Sequence, residues 1–343
     1  MKYRQLGRTG TRVSELCLGT MNFGGRTDEA TSIRIIDQAI DAGINFIDSA
    51  DVYARGVSEE ILGKALQGNG HRDDVVVATK AVANMGDGPN DHGASRYHLT
   101  RAVEGSLRRL QTDRIDLFYL HIVDLTTPMD EILGTLDVLV QQGKLLYVGT
   151  SKWPPTLIME GLALADAHGL PRFVAEQPPY QMLDRGIENE LVWMCMRQGI
   201  GICPWGPLAY GMLSGRYRKG QPPPEGGRMS TKDPDTDSRF THAALDAIEE
   251  YVKLAEARGV PLAEFAHAWL LTRPGLSSVI IGPRTEEHLA SALRSVDLEL
   301  TEEELARVDE IVPPGKWVSD FYDGNVYARM RKMIGTPDEW RKR

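Results

Sequence analysis

The chain has 343 residues, 42% of them hydrophobic and 25% charged, which is the make-up of an ordinary soluble globular protein with room for two domains or one large α/β barrel. No run approaches the roughly 18 apolar residues of a spanning helix, so the sequence predicts no membrane protein. A net charge of −9, from 48 acidic against 39 basic residues, would repel a phosphate backbone and gives no footprint for nucleic acid.

At the start, Met1 to Gly7 lacks the apolar centre and small-residue cleavage site of a secretory signal, so a cytoplasmic location is expected. Tyr3 to Leu6 and Arg12 to Glu15 read as the arms of a β-hairpin placed to plug a barrel floor. Short apolar runs of strand type then alternate with longer segments of helical period. The runs are Leu16 to Thr20, Asn45 to Ser49, Val75 to Thr79, Ile115 to Leu120, Leu145 to Gly149, Phe173 to Glu176, Gly201 to Pro204 and Ser278 to Ile281. Helical segments fall at Thr31 to Asp41, Glu59 to Gln67, Leu99 to Leu110, Glu131 to Gln141, Thr156 to His168, Glu188 to Arg197 and Glu286 to Leu293. This alternation predicts a single α/β domain, a (β/α)8 TIM barrel over residues 1–312, rather than open doubly wound sheets. A Rossmann fold would need GxGxxG in its first strand-to-helix turn, which Leu18 to Gly25 does not supply. Two long segments break the repeat: an insert after the seventh strand, Gly215 to Phe240, and a tail over 313–343 carrying Trp317, Phe321, Tyr322 and Tyr327. Inserts of this length are commonly functional, and the tail is a candidate substrate-site loop. Cys17, Cys195 and Cys203 share no CxxC or metal-ligand spacing, so neither a disulfide framework nor a metal site is expected.

In such a barrel, chemistry sits at the C-terminal strand ends, so a polar residue closing an apolar run is a candidate by position. The closers are Gly19-Thr20, Asp48, Lys80, His121, Ser151, Gln177, Trp205 and Gly282, in strand order. Singly, an Asp is commonly a cap, a Lys solvated and a His structural. Asp48, Lys80 and His121 on three neighbouring strand ends, with Tyr53 five residues past Asp48, form a set with one chemical purpose. A tyrosine's ordinary pKa of about 10 is high for acid-base work near neutrality, and an adjacent ammonium stabilises the phenolate. Lys80 would be that ammonium, Asp48 would keep it charged, and His121 would orient a substrate oxygen. The set suits delivery of a proton to a carbonyl oxygen as a hydride reaches its carbon.

Through Phe46-Ile47-Asp48-Ser49-Ala50-Asp51-Val52-Tyr53, Ala78-Thr79-Lys80, Arg114 to His121 and Leu18-Gly19-Thr20-Met21, the chain resembles the aldo-keto reductases, including their potassium-channel β-subunit-like and sugar or aldehyde reductase branches. The resemblance implies Tyr53 as general acid, Lys80 and Asp48 as its tuning pair and His121 as the polarising residue. It also implies an extended NADPH/NADP+ across the later strand ends, with Gly19, Thr20, Met21 and Asp48 beside it. Ser151 and Gln177 would bond the carboxamide, the ring of Trp205 in Trp205-Gly206-Pro207-Leu208 would stack on the nicotinamide, and Ile281-Gly282-Pro283-Arg284 would meet the adenosine phosphate, with His288 at a cofactor position that faces the adenine. Gly215-Arg216 and Arg239 bracket the insert as cations for the phosphates. Guanidinium groups bind phosphate through paired donors, so NADPH is expected over NADH. Departures from the family pattern are Lys152 in place of an Asn, and His288 and Ala292 in place of an adenine-facing Gln and Asn, which imply modest cofactor affinity.

Substrate walls are expected from Met21, Phe23, Tyr53, Arg55, His121 and Trp153, with the Ala81 to Ser95 stretch, Val123-Asp124 and the tail aromatics behind them. Arg55 would greet an anionic or hydroxylated substrate. The reading is NADPH-dependent reduction of a small-molecule aldehyde or ketone. Its alternatives are a Schiff-base aldolase using Lys80 and an NADPH-binding regulatory subunit with little turnover. The sequence gives no oligomeric state.

Overall fold

The protein is seen in a computed structural model that describes residues 1–230, 237 and 239–321. It opens with an antiparallel hairpin, β1 (Tyr3–Gln5) against β2 (Arg12–Ser14). Eight parallel strands follow: β3 (Leu16–Gly19), β4 (Phe46–Asp48), β5 (Val76–Ala81), β6 (Ile115–Leu120), β7 (Leu145–Thr150), β8 (Phe173–Glu176), β9 (Gly201–Ile202) and β10 (Val279–Ile281). Each pairs with the next in chain order, and β10 returns to pair with β3. Between β9 and β10 the ring is closed by hydrogen bonds from Ile280 N to Pro204 O (3.0 Å) and Ser277 N to Ile202 O (2.9 Å). The expected eight strands and the barrel are therefore present.

The helices α1 (Glu29–Asp41), α2 (Val57–Asn69), α3 (Arg96–Leu110), α4 (Met129–Gln141), α5 (Pro155–His168), α6 (Leu191–Gln198), α7 (His242–Arg258), α8 (Leu262–Leu271), α9 (Glu286–Arg294) and α10 (Glu302–Ile311) surround it. Side-chain caps start several of them, as where Asp28 accepts from Thr31 N before α1. Two differences from the sequence expectation stand out. The segment Glu188 to Arg197 is broken at Glu190 (φ −147°, ψ −49°) into a single turn and α6. Helices α7 and α8 occupy the stretch between the insert and the last strand, where none was expected.

Strand side chains alternate between faces, and here the alternation separates two cores. Outward residues such as Leu18, Ile47, Val77, Phe118 and Leu120 pack under the helices. Inward residues Cys17, Phe46, Ala78, Leu117, Tyr119, Ala175, Cys203 and Ile280 fill the lumen together with Leu6 and Val13 of the hairpin, which plugs the floor as expected. Gly7 makes that plug possible: its φ is +56°, and a Cβ there would stand 2.7 Å from Gly199 O and 2.8 Å from Gly201 N. All three cysteines are free and buried. Among the described residues no helix is long and apolar enough to cross a membrane.

Candidate active site

The lumen residues predict the mouth. Two residues beyond Cys17, Phe46, Ala78, Tyr119, Ala175, Cys203 and Ile280, on the same inward parity, stand Gly19, Asp48, Lys80, His121, Gln177, Trp205 and Gly282. Ser151 follows glycine 149 in the same way. Gly149 itself leaves room for Tyr119, whose ring atoms would lie 2.8 Å from an added Cβ.

Lys80 is fully buried, and its three N–H donors are all used: on Asp48 Oδ1 (2.5 Å), Ser49 O (2.6 Å) and Tyr53 Oη (3.2 Å). Asp48 Oδ2 accepts from Gln177 Nε2 at 2.9 Å. Burial works against the Lys80 charge, but Asp48 and Tyr53 outweigh it and its pKa is raised, so it stays an ammonium. For Tyr53, burial raises the phenol above its ordinary value while Lys80 pulls it back, so the tuning expected of Lys80 is present but smaller than the burial it opposes. His121 lies edge-on to Tyr53, ring centroids 5.8 Å apart, with Nδ1 buried and unbonded among the described residues. Burial, then the charges of Lys80 and Lys152, hold its pKa well below the ordinary value and keep the ring neutral.

Tyr53 reaches this cluster through a strained turn. Ala54 (φ 48°, ψ 35°) and Arg55 (φ 54°, ψ 43°) both adopt left-handed backbone, which costs about 1 kcal/mol or more each. The far end of the turn is pinned. Ser58 donates to Thr20 O (2.9 Å), and Glu59 accepts from Thr79 Oγ1 (2.5 Å) and from Arg109 Nε (2.7 Å).

The expected cofactor residues divide into those at the mouth and those elsewhere. Ser151 Oγ donates to Gln177 O at 2.9 Å, and Gln177 keeps its amide oxygen free of any bond among the described residues. Trp205 is half-buried, and Tyr210 stacks on it at 5.9 Å after the turn of Gly206 (φ 69°), Pro207 and Leu208. Gly215 (φ 79°) ends that turn before the exposed Arg216. Arg284 donates to Gly226 O at 3.2 Å, and its backbone N donates to His288 Nδ1 at 3.4 Å. Burial, then the charges of Arg284 and Arg216, lower the His288 pKa. Thr20 Oγ1 donates to Ser49 Oγ (2.9 Å), a structural use. Ile281 faces the helices, buried in the outer core, so only its backbone borders the mouth. Arg239 forks onto Asp237 rather than standing free.

The expected walls need correction as well. Phe23 and Trp153 are 0% and 1% exposed in the outer core, Trp153 edge-on to Phe173, and present almost no surface to a substrate. Lys152 explains Trp153: its φ of +60° ends the strand parity and swings the next side chain outward. Arg55 is exposed on its left-handed turn. Asp124 caps its own loop, accepting from Ala94 N and the Thr126 and Thr127 hydroxyls, bonds that hold its pKa down at about 2 against burial. Met21 is 38% exposed at the rim. Phe321 meets Tyr210 edge-on at 5.4 Å, bringing the start of the tail to the site. Tyr322, Tyr327 and positions 231–236 and 238 of the insert lie outside the described residues. The sequence reading did not include Tyr210, or Arg228 whose guanidinium lies over the Tyr210 ring at 4.3 Å. Tyr210 was within reach, five residues past Trp205, whereas Arg228 lies in an insert with no periodicity to read.

An Asp-Lys-Tyr chain beside a histidine, at the mouth of a barrel flanked by basic groups, is an arrangement suited to passing a proton. The chain belongs to the aldo/keto reductase family, whose pattern it matches over residues 15–313. It is 39% identical over 332 residues to an uncharacterized oxidoreductase, YrpG, of Bacillus subtilis, covering 94% of this chain and 99% of that protein. A probable voltage-gated potassium channel subunit beta of Oryza sativa is 36% identical over 318 residues, covering 91% and 97%. A norsolorinic acid reductase of Emericella nidulans is 34% identical over 317 residues, covering 89% and 79%.

Proposed function

We propose that this oxidoreductase reduces an aldehyde or ketone to the alcohol with NADPH, reversibly, with Tyr53 as general acid. The observation that carries the reading is the use of all three Lys80 donors. One of them goes to Tyr53 Oη, which leaves the phenol its own proton to give to a carbonyl oxygen. His121, neutral, donates a second hydrogen bond that orients and polarises that oxygen.

The residues at the later strand ends fit a nicotinamide dinucleotide. Ser151 Oγ and the Gln177 amide oxygen would hold the carboxamide and the Trp205 face would take the ring. Arg216, Arg284 and His288 would receive the 2′-phosphate that distinguishes NADPH from NADH. When bound, the cofactor supplies the hydride. Tyr53 supplies the proton, and solvent restores it. The charge of Lys152, felt at His121, disfavours the positively charged oxidised ring and so favours holding NADPH over NADP+.

A Schiff-base aldolase is a weaker reading, because an amine with three N–H bonds made and its charge held by Asp48 has no lone pair to attack a carbonyl. Fluorescence titration with NADPH and NADH, followed by loss of NADPH absorbance on adding a panel of aldehydes and ketones, tests the proposal. Preferred NADPH binding with carbonyl-dependent oxidation is expected. NADPH binding with no carbonyl consumed would favour the regulatory-subunit reading.

A further inference from the structure

Behind the mouth, at the last residue of β8, stands a fully buried acid that the proposed chemistry does not use. Glu176 lies between Ala175, which fills the lumen, and Gln177, which faces the mouth, so strand alternation turns its side chain the other way, under the helices. A polar group buried there costs free energy unless its hydrogen bonds are made. Here they go to one short stretch of chain. Glu176 Oε2 accepts from Thr150 Oγ1 at 2.5 Å and Oε1 accepts from Trp153 N at 3.2 Å, so the carboxyl reaches across from β8 and spans the turn that leaves β7. Thr150 is itself fully buried and is the register partner of Glu176 in the sheet.

That turn carries Ser151 and Lys152 to the mouth. Lys152 holds a φ of +60°, a backbone that a residue with a side chain rarely adopts unless its surroundings impose it. On the inner side, Ser151 Oγ donates to Gln177 O at 2.9 Å and Lys152 N donates to the same oxygen at 3.3 Å. Consecutive residues thus grip the turn from both sides, Gln177 through its backbone and Glu176 through its side chain. We propose that Glu176 is a positioning residue for the nicotinamide half of the site, fixing the direction of Ser151 and Lys152 through the 150–153 turn without itself meeting the cofactor. The inference rests on the reading of Ser151 and Gln177 as partners of the carboxamide. The groups assigned to the phosphate end are carried elsewhere, Arg216 after β9 and Arg284 and His288 after β10. Burial raises the Glu176 carboxyl to about 8, so at pH 7 a glutamine matches it in charge as well as shape. The amide keeps an acceptor for Trp153 N and a donor for Thr150 Oγ1.

Binding of NADPH, by fluorescence, and of 2′,5′-ADP, which lacks the nicotinamide half, by calorimetry, tests the proposal at pH 7. Glu176→Val should raise the NADPH Kd about tenfold to a hundredfold, the scale of two lost hydrogen bonds, and Glu176→Gln should stay within about threefold of the parent. Thr150→Val removes only the Oε2 bond and keeps the test available if Glu176→Val does not fold; about threefold to tenfold is expected of it. The 2′,5′-ADP Kd should stay within about threefold of the parent's in every variant. A second readout needs no nucleotide: hydrogen exchange over 151–153 should quicken at least tenfold in Glu176→Val, while 115–120 in β6 exchanges at the parent's rate. An unchanged NADPH Kd in folded Glu176→Val would overturn the proposal. So would equal weakening of NADPH and 2′,5′-ADP, which would make the residue merely structural. If the parent binds neither nucleotide, the cofactor reading fails by itself, and unaltered exchange over 151–153 in Glu176→Val would separately show that Glu176 does not hold the turn.

Discussion

The fully buried Lys80 is held by a buried carboxylate and spends each of its donors, so its removal has two separable consequences. Lys80→Met should lower the reduction rate at least tenfold by withdrawing the charge that opposes the burial of Tyr53. It should also destabilise the fold by about 3–5 kcal/mol, because Asp48 is left buried without its counter-ion. The double variant Lys80→Met/Asp48→Asn should regain much of the melting temperature and none of the rate, a contrast that thermal melts and turnover assays together can check. The pH profile follows from the same groups. Reduction needs the Tyr53 proton, and burial raises that pKa, so the rate should hold through neutrality and fall only above the ordinary tyrosine value of about 10. Alcohol oxidation, which needs the phenolate, should rise over the same range. A reduction limb centred near neutrality would contradict the assignment of Tyr53.

The strands and their polar closers were legible because parity in a strand has period two, and a residue that breaks an apolar run at an inward position has only the barrel mouth to occupy. Asp48, Lys80, His121 and Gln177 all follow that rule. Phe23 and Trp153 escaped it because turns intervene: Phe23 N bonds back to Thr20 O at 2.9 Å, and Lys152 takes a left-handed φ of 60°. Neither turn carries a glycine to announce it. Arg228 had no periodic neighbours at all, and only the fold brings Tyr210 and Met21 to it. At the opposite end of the barrel, Gly7→Ala should force the hairpin off the floor, since the new methyl meets backbone at Gly199 and Gly201 and the φ is positive. The expected outcome is a loss of about 2–4 kcal/mol in denaturant unfolding, with kcat close to the parent's because the chemistry lies at the other end. A kcat that fell in proportion to stability would show that floor and mouth are coupled.

Across the whole molecule, stability should depend on pH through two buried carboxyls. Burial, then the charge of Glu59, raises Asp51 to about 7, and both its oxygens lack partners among the described residues. Burial raises Glu176 to about 8 despite bonds from Thr150 and Trp153. A folded-state pKa above the unfolded one means that the folded chain holds the proton more tightly. The resulting stability is complete below the unfolded carboxyl range near pH 4 and is lost as pH rises through 7 and 8. Asp124 and Glu249, held down at about 2, act oppositely: hydrogen bonds from Thr126 and Thr127 outweigh burial at Asp124, and Arg218 leads at Glu249. Their contribution is present above the unfolded range and lost on acidification. Asp51→Asn removes one ionisation and should flatten the decline, raising stability at pH 8 relative to pH 5 by about 2–4 kcal/mol in paired denaturant titrations. Equal slopes in parent and variant would remove Asp51 from this account.

The central claim is that Tyr53, held by Lys80, supplies the proton in a hydride transfer from NADPH. Single-turnover oxidation of bound NADPH by 4-nitrobenzaldehyde, measured for the parent and for Tyr53→Phe with each protein's NADPH Kd determined alongside, tests it most directly. The account predicts an NADPH Kd within about threefold of the parent's and a rate lower by about a hundredfold to ten-thousandfold, the scale of a lost general acid. A Tyr53→Phe protein that binds NADPH and consumes it at the parent's rate would contradict the account.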